Sequence, residues 1–310
     1  MKALQHINGV LLLDKPEGLS SNHALQKVRR LFGHTKAGYA GTLDPLASGL
    51  LPISMGEATK FINFFSDASK AYEAVIKLGV RSTTGDAEGE LSTSKIAPFD
   101  TSDLEKIVTK FTGPLQQTPP MHSAIKVHGK PLYKLAREGK VVPREKRNII
   151  IDSLKLNKIK DDELSLSVSC SKGTYVRVLA EDISSALGTE GYLTSLRRTG
   201  LADICVSAAV SFDQIEGIDL SLRCKLLKNI NLSLSHFPCL SLTVTDERKF
   251  MNGMVISVTQ ENCQPGTISV YTHDGIFSGL ADVDESGDLK AKRLMSQDYV
   301  ADSRKFKEVN

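Results

Sequence analysis

The sequence predicts a mixed helix-and-strand chain that ends in a small β-rich module. Three patterns carry this. Residues 70–78, 147–158 and 164–170 alternate apolar and polar side chains, the period of a strand with one buried face. Ala24, Leu25, Val28, Leu31 and Phe32 recur at helical spacing, and so do Leu104, Ile107, Val108 and Phe111. After Pro238, short candidate strands are separated by Asn252-Gly253, Pro265-Gly266, Asp274-Gly275 and Ser286-Gly287, the punctuation of a compact β unit. At 310 residues the chain is long enough for two domains. A boundary near His236-Phe237-Pro238 gives 1–235 and 238–310.

In chain order, residues 7–13 read as a buried strand. Ser20 or Ser21 caps the next helix, and Gly33 ends it. Its Lys27, Arg29 and Arg30 form either a solvated face or, with His34 and Lys36, a phosphate-facing group. Residues 50–55 return as a strand and 57–65 as a short helix packed through Phe61, Phe64 and Phe65. In the strand 70–78, Tyr72, Ala74, Ile76 and Leu78 share one face, so pattern alone makes Tyr72 a half-buried strand tyrosine. The loop 81–89 carries Asp86, which is either solvated or set to orient Arg177 or another cation. Ser102 or Asp103 opens a helix that Gly113-Pro114 stops.

The next stretch is the best candidate RNA surface. Lys126, Lys130, Lys134, Arg137, Lys140, Arg144, Lys146 and Arg147 lie within it, opposed only by Glu138 and Glu145, with His128 and Tyr133 interleaved. Such a run suits phosphate contacts and stacking, or is simply a basic solvated face. The strands 147–158 and 164–170 pair across a polar turn. Gly173-Thr174 then leads into a helix with Val178, Leu179, Ile183, Ala186 and Leu187 as its apolar positions. Arg177 falls in its first turn, where a cation opposes the helix dipole; a buried carboxylate partner would explain it better than a surface site. Arg197 and Arg198 are candidate phosphate contacts. A helical run at 222–230 leads to the boundary.

Composition narrows the classes. Hydrophobic content of 41% and charged content of 24% are ordinary for a globular protein. A net charge of +3 is too small to mark a nucleic-acid binder, so local clustering must do so. The apolar stretch 10–13 is too short for a membrane span or signal core. Cys170, Cys205, Cys224, Cys239 and Cys263 are far apart, with no C-x-x-C, which suggests reduced thiols in the cytoplasm; the histidines are scattered too, and no metal site is expected. Neither nucleotide-binding glycine fingerprint occurs.

The stretch around which the rest is organised is Gly38-Tyr39-Ala40-Gly41-Thr42-Leu43-Asp44-Pro45-Leu46-Ala47-Ser48-Gly49. Pro45 fixes its own φ and pushes Asp44 away from helical geometry, so Asp44 stands on a stiff turn. Asp-Pro between glycines is usually an ordinary turn. Here, however, Gly41 to Gly49 resembles the catalytic loop of the bacterial tRNA pseudouridine-55 synthases. Gly9-Val10-Leu11-Leu12-Leu13-Asp14-Lys15-Pro16 resembles that family's opening strand, and Lys172-Gly173-Thr174-Tyr175-Val176-Arg177 its arginine motif. Pro119-Pro120-Met121-His122-Ser123-Ala124 and Lys130-Pro131-Leu132-Tyr133 are similar to further family segments. The likeness runs in order through about the first 235 residues. It departs at Tyr39 and Ala40, where the family usually has His-Thr.

The resemblance implies an α+β fold: a mixed, largely antiparallel pseudouridine-synthase sheet flanked by helices, an RNA-binding insertion at about 115–147, and a PUA-like RNA-binding domain at 238–310. It implies an isomerase acting on uridine-55 of the tRNA T-arm stem-loop, in the cytoplasm and as a monomer. No cofactor is expected, because the reaction conserves atoms and redox state. Asp44 would act as nucleophile or general base, ion-paired to Arg177, and Tyr72 would stack on the uracil and assist at C5. Substrate contacts are expected from Tyr39, Tyr175, Leu196, Lys15, Lys60 and Asp86; core packing for Tyr175 and Leu196, and exposed lysines for Lys15 and Lys60, are the plainer alternatives. Two rivals stand: a non-catalytic tRNA-binding protein, and a glycosidic-bond hydrolase, which needs a second acid that only Asp86 could supply.

Overall fold

A computed structural model describes residues 7–96, 98–127, 129–258 and 263–309, the last four without side chains. Its main sheet runs in the order Gly9–Lys15, Ala47–Met55, Gly191–Leu201, Lys70–Leu78, Glu163–Cys170, Arg147–Lys160 and Gly113–Gln117. Short strands Ala37–Tyr39 and Ile204–Cys205 add to Ala47–Met55 and Gly191–Leu201. Along this path only Gly191–Leu201 and Ala47–Met55 run parallel, so the sheet is mixed and largely antiparallel, as expected.

The strand Gly9–Lys15 is buried on both faces because two cores meet across it. Leu11 and Leu13 join the large core, with Ala24, Leu25 and Val28 of the helix Ser21–Leu31. Val10 and Leu12 face a second core that contains Phe61, Phe65, Ile230 and Leu234 from the first part of the chain and Phe277, Leu280, Met295 and Val300 from the last. The alternation in Lys70–Leu78 turns Ala74, Ile76 and Leu78 into the large core, with Tyr72 packed at its margin. Ser20 caps the first helix, its side chain accepting from the His23 N–H.

Some elements differ from expectation. The helix Thr101–Phe111 opens at Asp100, not Ser102 or Asp103, because Asp100 and Asp103 complete a reciprocal capping box. The helix expected over 222–230 is only Leu220–Lys225. Lys228 leaves it to exchange two backbone hydrogen bonds with Val10, at 2.8 and 2.9 Å. The expected helix over 57–65 is a 3₁₀ turn, Gly56–Phe61, followed by the helix Ile62–Asp67.

The C-terminal module is a five-stranded sheet in the order Cys239–Ser241, Gly266–Tyr271, Phe277–Val283, Asp288–Leu294 and Ile256–Ser257. It is fastened to the main domain: Phe61 and Phe277 meet edge to face at 5.3 Å, and the Ser296 N–H donates to Glu57 at 2.7 Å. Glu247 joins the adjacent pair His273 and Asp274 there, so scattered histidines did not exclude a ligand-like cluster. Arg304 from the helix Gln297–Val309 neutralises it, at 2.6 Å from Glu247 and 3.0 Å from Asp274. Among the described residues no helix is long and apolar enough to cross a membrane.

Candidate active site

Asp44 stands on the turn between Ala37–Tyr39 and Ala47–Met55, and the turn is pinned from several sides. The buried Ser21 hydroxyl accepts from the Leu43 N–H and donates to the Leu43 carbonyl, both at 2.8 Å. The Gly18 N–H donates to the Pro45 carbonyl at 2.8 Å and the Ala47 N–H to the Asp44 carbonyl at 3.0 Å. Two glycines let the loop close over Arg198. Gly49 has φ +102°, and a Cβ there would lie 2.3 Å from the Arg198 carbonyl; Gly41 has φ +69°, and its Cβ would lie 2.8 Å from Arg198 Nη1. Ser21→Ala, which strips both Leu43 groups of their partner, is expected to cost about 1–3 kcal/mol of stability by chemical denaturation. A loss within ~0.5 kcal/mol would place the fastening elsewhere.

Arg177 lies at the first turn of the helix Val176–Ala186 and bridges two acids. Its Nη2 is 3.1 Å from Asp44 and its Nη1 is 3.5 Å from Asp86. The same nitrogens donate to the Thr84 and His122 carbonyls at 2.8 Å, which fixes the plane of the guanidinium. The Asp86 side chain is only 3% exposed and that of Arg177 7%, whereas that of Asp44 is 39% exposed. Of the two acids, Asp44 is therefore the one open to a ligand. Burial pushes its carboxyl above the usual aspartate range; Arg177 opposes this, Asp86 adds to it, and Lys15 opposes it.

Two cavities meet at Asp44. The inner one, about 270 Å³, is lined by Asp44, Tyr72, Tyr175, Arg177, Leu196 and Arg198 among others. The outer one, about 540 Å³, runs from Asp44 past Tyr39 and His122 to Lys126, Tyr133 and Arg137. The arrangement offers one accessible carboxylate with a fixed cation behind it, a tyrosine and a leucine for a planar ring, and a cationic, aromatic approach.

Residues 29–176 match the model of the TruB family pseudouridylate synthase (N terminal domain), and residues 238–295 that of the pseudouridine synthase II TruB, C-terminal. The tRNA pseudouridine synthase B of Burkholderia mallei is 43% identical over 298 residues, covering 94% of this chain and 98% of that protein. The chain belongs to the TruB family of pseudouridylate synthases. It is also 42% identical over 293 residues to the tRNA pseudouridine synthase B of Methylobacillus flagellatus, covering 94% of this chain and 97% of that one. At the level of fold, this TruB-family chain is similar to a solved Cbf5-Nop10-Gar1 complex, with a TM-score of 0.72 at 20% identity, covering 95% of this chain and 87% of that one. As a pseudouridine synthase, the TruB-family protein is an isomerase.

Within this TruB-family site the structure sorts the expected residues. Asp44, Tyr72, Tyr175, Arg177 and Leu196 line the inner cavity, and Tyr39 the outer. Asp86 is not solvated: it is held by the Thr84 hydroxyl and the Glu88 N–H, and the Leu193 N–H donates to Gly85 at 3.0 Å beside it. Lys15 is wholly buried, donating to the Pro16 and Leu19 carbonyls at 2.8 and 2.6 Å; burial lowers its pKa to about 8 while Asp44 raises it. It lines neither cavity. Lys60 lies away from both cavities, paired with Glu57 at 2.6 Å and bonded to the Leu294 carbonyl of the C-terminal module.

Neither arginine of the pair 197–198 is a free phosphate contact. Arg197 is held by Asp14 at 2.7 and 3.0 Å, and Arg198 is fully buried. Strand alternation could have flagged Arg198, since on the strand Gly191–Leu201 it shares a face with Leu196. The Gln117 side chain, which grips the Tyr175 backbone at 2.8 and 3.1 Å, and His122, which borders both cavities, had no comparable signal. His128 lies outside the described residues.

Proposed function

We propose that this enzyme converts uridine-55 in the T-loop of tRNA to pseudouridine, taking the flipped nucleoside into the inner cavity with Asp44 as nucleophile or general base. The observation that carries this is the accessible Asp44 carboxylate, bound to a buried Arg177 where the two cavities meet. The names of the curated relatives supply the tRNA. The reaction breaks the N1–C1′ bond, turns the base and joins C5 to C1′. It needs a positioned ionised carboxylate, a surface to retain the loose base, and an acceptor for the C5 proton. Tyr72 and Leu196 border the space for the base, and Tyr72 also supplies the proton acceptor.

Extraction of a stacked uridine costs a few kcal/mol, which cationic phosphate grips and aromatic wedges help to offset. The outer cavity supplies both, from Lys126, Arg137, Tyr39 and Tyr133. Arg137 lies 5.6 Å from the centre of the Tyr133 ring. The C-terminal module, packed on the main domain, is a second RNA-binding surface in this reading. The enzyme works in the cytoplasm without a metal, as a monomer. A hydrolase would need a second acid across the glycosidic bond, but Asp86 is buried and committed to Thr84, Glu88 and Arg177.

Incubation with an unmodified T-arm stem-loop is expected to isomerise its uridine-55 and to release no uracil; stoichiometric free uracil would support hydrolysis instead. Tyr72→Phe is expected to retain RNA affinity and to lose turnover by about 10²-fold or more, the scale of a lost proton-transfer group. Full turnover in that variant would remove Tyr72 from proton transfer. Tyr39→Ala is expected to weaken RNA binding by about 1–3 kcal/mol, the worth of one stacked base. Unchanged affinity would withdraw the stacking role.

A further inference from the structure

Among the described residues Arg198 is the largest fully buried side chain, and its surroundings are unusual for a cation. Its Nε donates to the Leu50 carbonyl at 2.6 Å and its Nη1 to the Gly41 carbonyl at 3.0 Å. Its Nη2 is buried with no hydrogen-bond partner. Among the described residues no carboxylate is paired with it: Asp44 and Asp86 are taken by Arg177, and Asp14 by Arg197. An isolated buried guanidinium is costly, because it cannot shed its proton. The ionisable group set against it is the Tyr72 hydroxyl. The two residues are cross-strand partners on Gly191–Leu201 and Lys70–Leu78, and both line the inner cavity.

We infer that Arg198 is a positioning residue that holds the Tyr72 oxygen ready to be anionic, so that Tyr72 can take the C5 proton. This rests on the reading of Tyr72 given above. A neutral phenol cannot accept that proton; a phenolate can. With Tyr72 first deprotonated to solvent, the C5–H bond breaks, its proton goes to the Tyr72 oxygen, and its electron pair enters the C5–C6 double bond. N1, freed from the sugar, takes a proton from water, so product and substrate have the same atoms.

On balance the surroundings hold the Tyr72 hydroxyl above the usual tyrosine range, so its ionisation depends on the opposing charge of Arg198. Burial pushes its hydroxyl up, Arg198 opposes this, and Cys170 on the neighbouring strand and Asp44 on the loop add smaller upward pushes. Lys70, two residues along the strand, is bonded to the Ser66 and Ala68 carbonyls, and burial together with Arg198 lowers it to about 8. Among the described residues Arg198 is thus the main group whose charge favours the phenolate.

The test is the titration of Tyr72 itself, read from a ¹³Cζ-tyrosine label assigned with Tyr72→Phe, in the full-length protein and in Arg198→Gln. The phenol is expected to ionise about one pH unit or more higher in Arg198→Gln. The C5–H step should then limit the variant, so that RNA carrying 5-deuterouridine reacts more slowly than the protium form there but not in the unchanged enzyme. An unmoved Tyr72 titration in a folded Arg198→Gln overturns the inference, even if Tyr72→Phe is inactive. An active Tyr72→Phe instead defeats the underlying reading of Tyr72. Should Arg198→Gln fail to fold, 3-fluorotyrosine at position 72 provides the second arm. A more acidic phenol should move the alkaline rise of the single-turnover rate to lower pH, and an unmoved profile overturns the inference.

Discussion

Asp44→Asn is expected to lower single-turnover pseudouridine formation by about 10³-fold or more while leaving T-arm affinity within about threefold. The amide is nearly isosteric with the carboxylate, and the turn that presents it is held by Ser21, Gly18 and Ala47, none of which uses the side chain. The fold and the RNA surface therefore survive, and the nucleophile or base does not. Rapid-quench measurement of product beside filter binding separates the two effects. A non-catalytic RNA-binding protein would show neither the wild-type turnover nor its loss.

Arg177→Met is expected to abolish detectable turnover and to destabilise the fold by about 3–5 kcal/mol, because it leaves the buried Asp86 charge without its partner. Asp86→Asn in the same chain should restore much of the stability but not the activity, since Asp44 still lacks its cation. Denaturant unfolding of the single and double variants checks this; equal stability of the two would mean that Asp86 does not depend on Arg177. Arg177 also sets the pH dependence. Asp44 must be ionised to act, and burial raises its pKa, so the wild-type rate should fall as pH drops through a value above the usual aspartate range. Weakening the cation in Arg177→Lys, which loses the planar fork, removes part of the opposing charge effect and should move that acid limb to still higher pH.

Much of the site was legible because the family resemblance singled out Asp44, Tyr72 and Arg177, and local chemistry was consistent with it. Asp44-Pro45 between glycines marked a stiff turn, Tyr72 followed the alternation of its strand, and a cation at a helix start called for an acid. What the sequence left open were choices made by tertiary packing. Asp86 looked like a solvated loop residue until the loop proved to bridge onto Leu193 in the central strand. Lys15 and Lys60 looked equivalent, yet one is wholly buried on the Pro16 and Leu19 carbonyls and the other binds the C-terminal module. Arg198 followed Arg197 in a cationic pair, and only the parallel pairing of its strand with Ala47–Met55 brings it beneath the Asp44 loop. The helix ending at Lys225 was overestimated because the two hydrogen bonds exchanged between Lys228 and Val10 leave no local trace in the sequence.

The central claim is that one carboxylate, kept ionised by Arg177, rearranges one nucleoside. It is tested most directly by incubating an unmodified full-length tRNA transcript with the purified enzyme, with Asp44→Asn in parallel, and mapping pseudouridine at single-nucleotide resolution. The expected result is near-complete conversion at uridine-55 by the wild-type chain and none above background by the variant. Conversion by Asp44→Asn at the wild-type rate, or no pseudouridine from the wild-type enzyme, would contradict it.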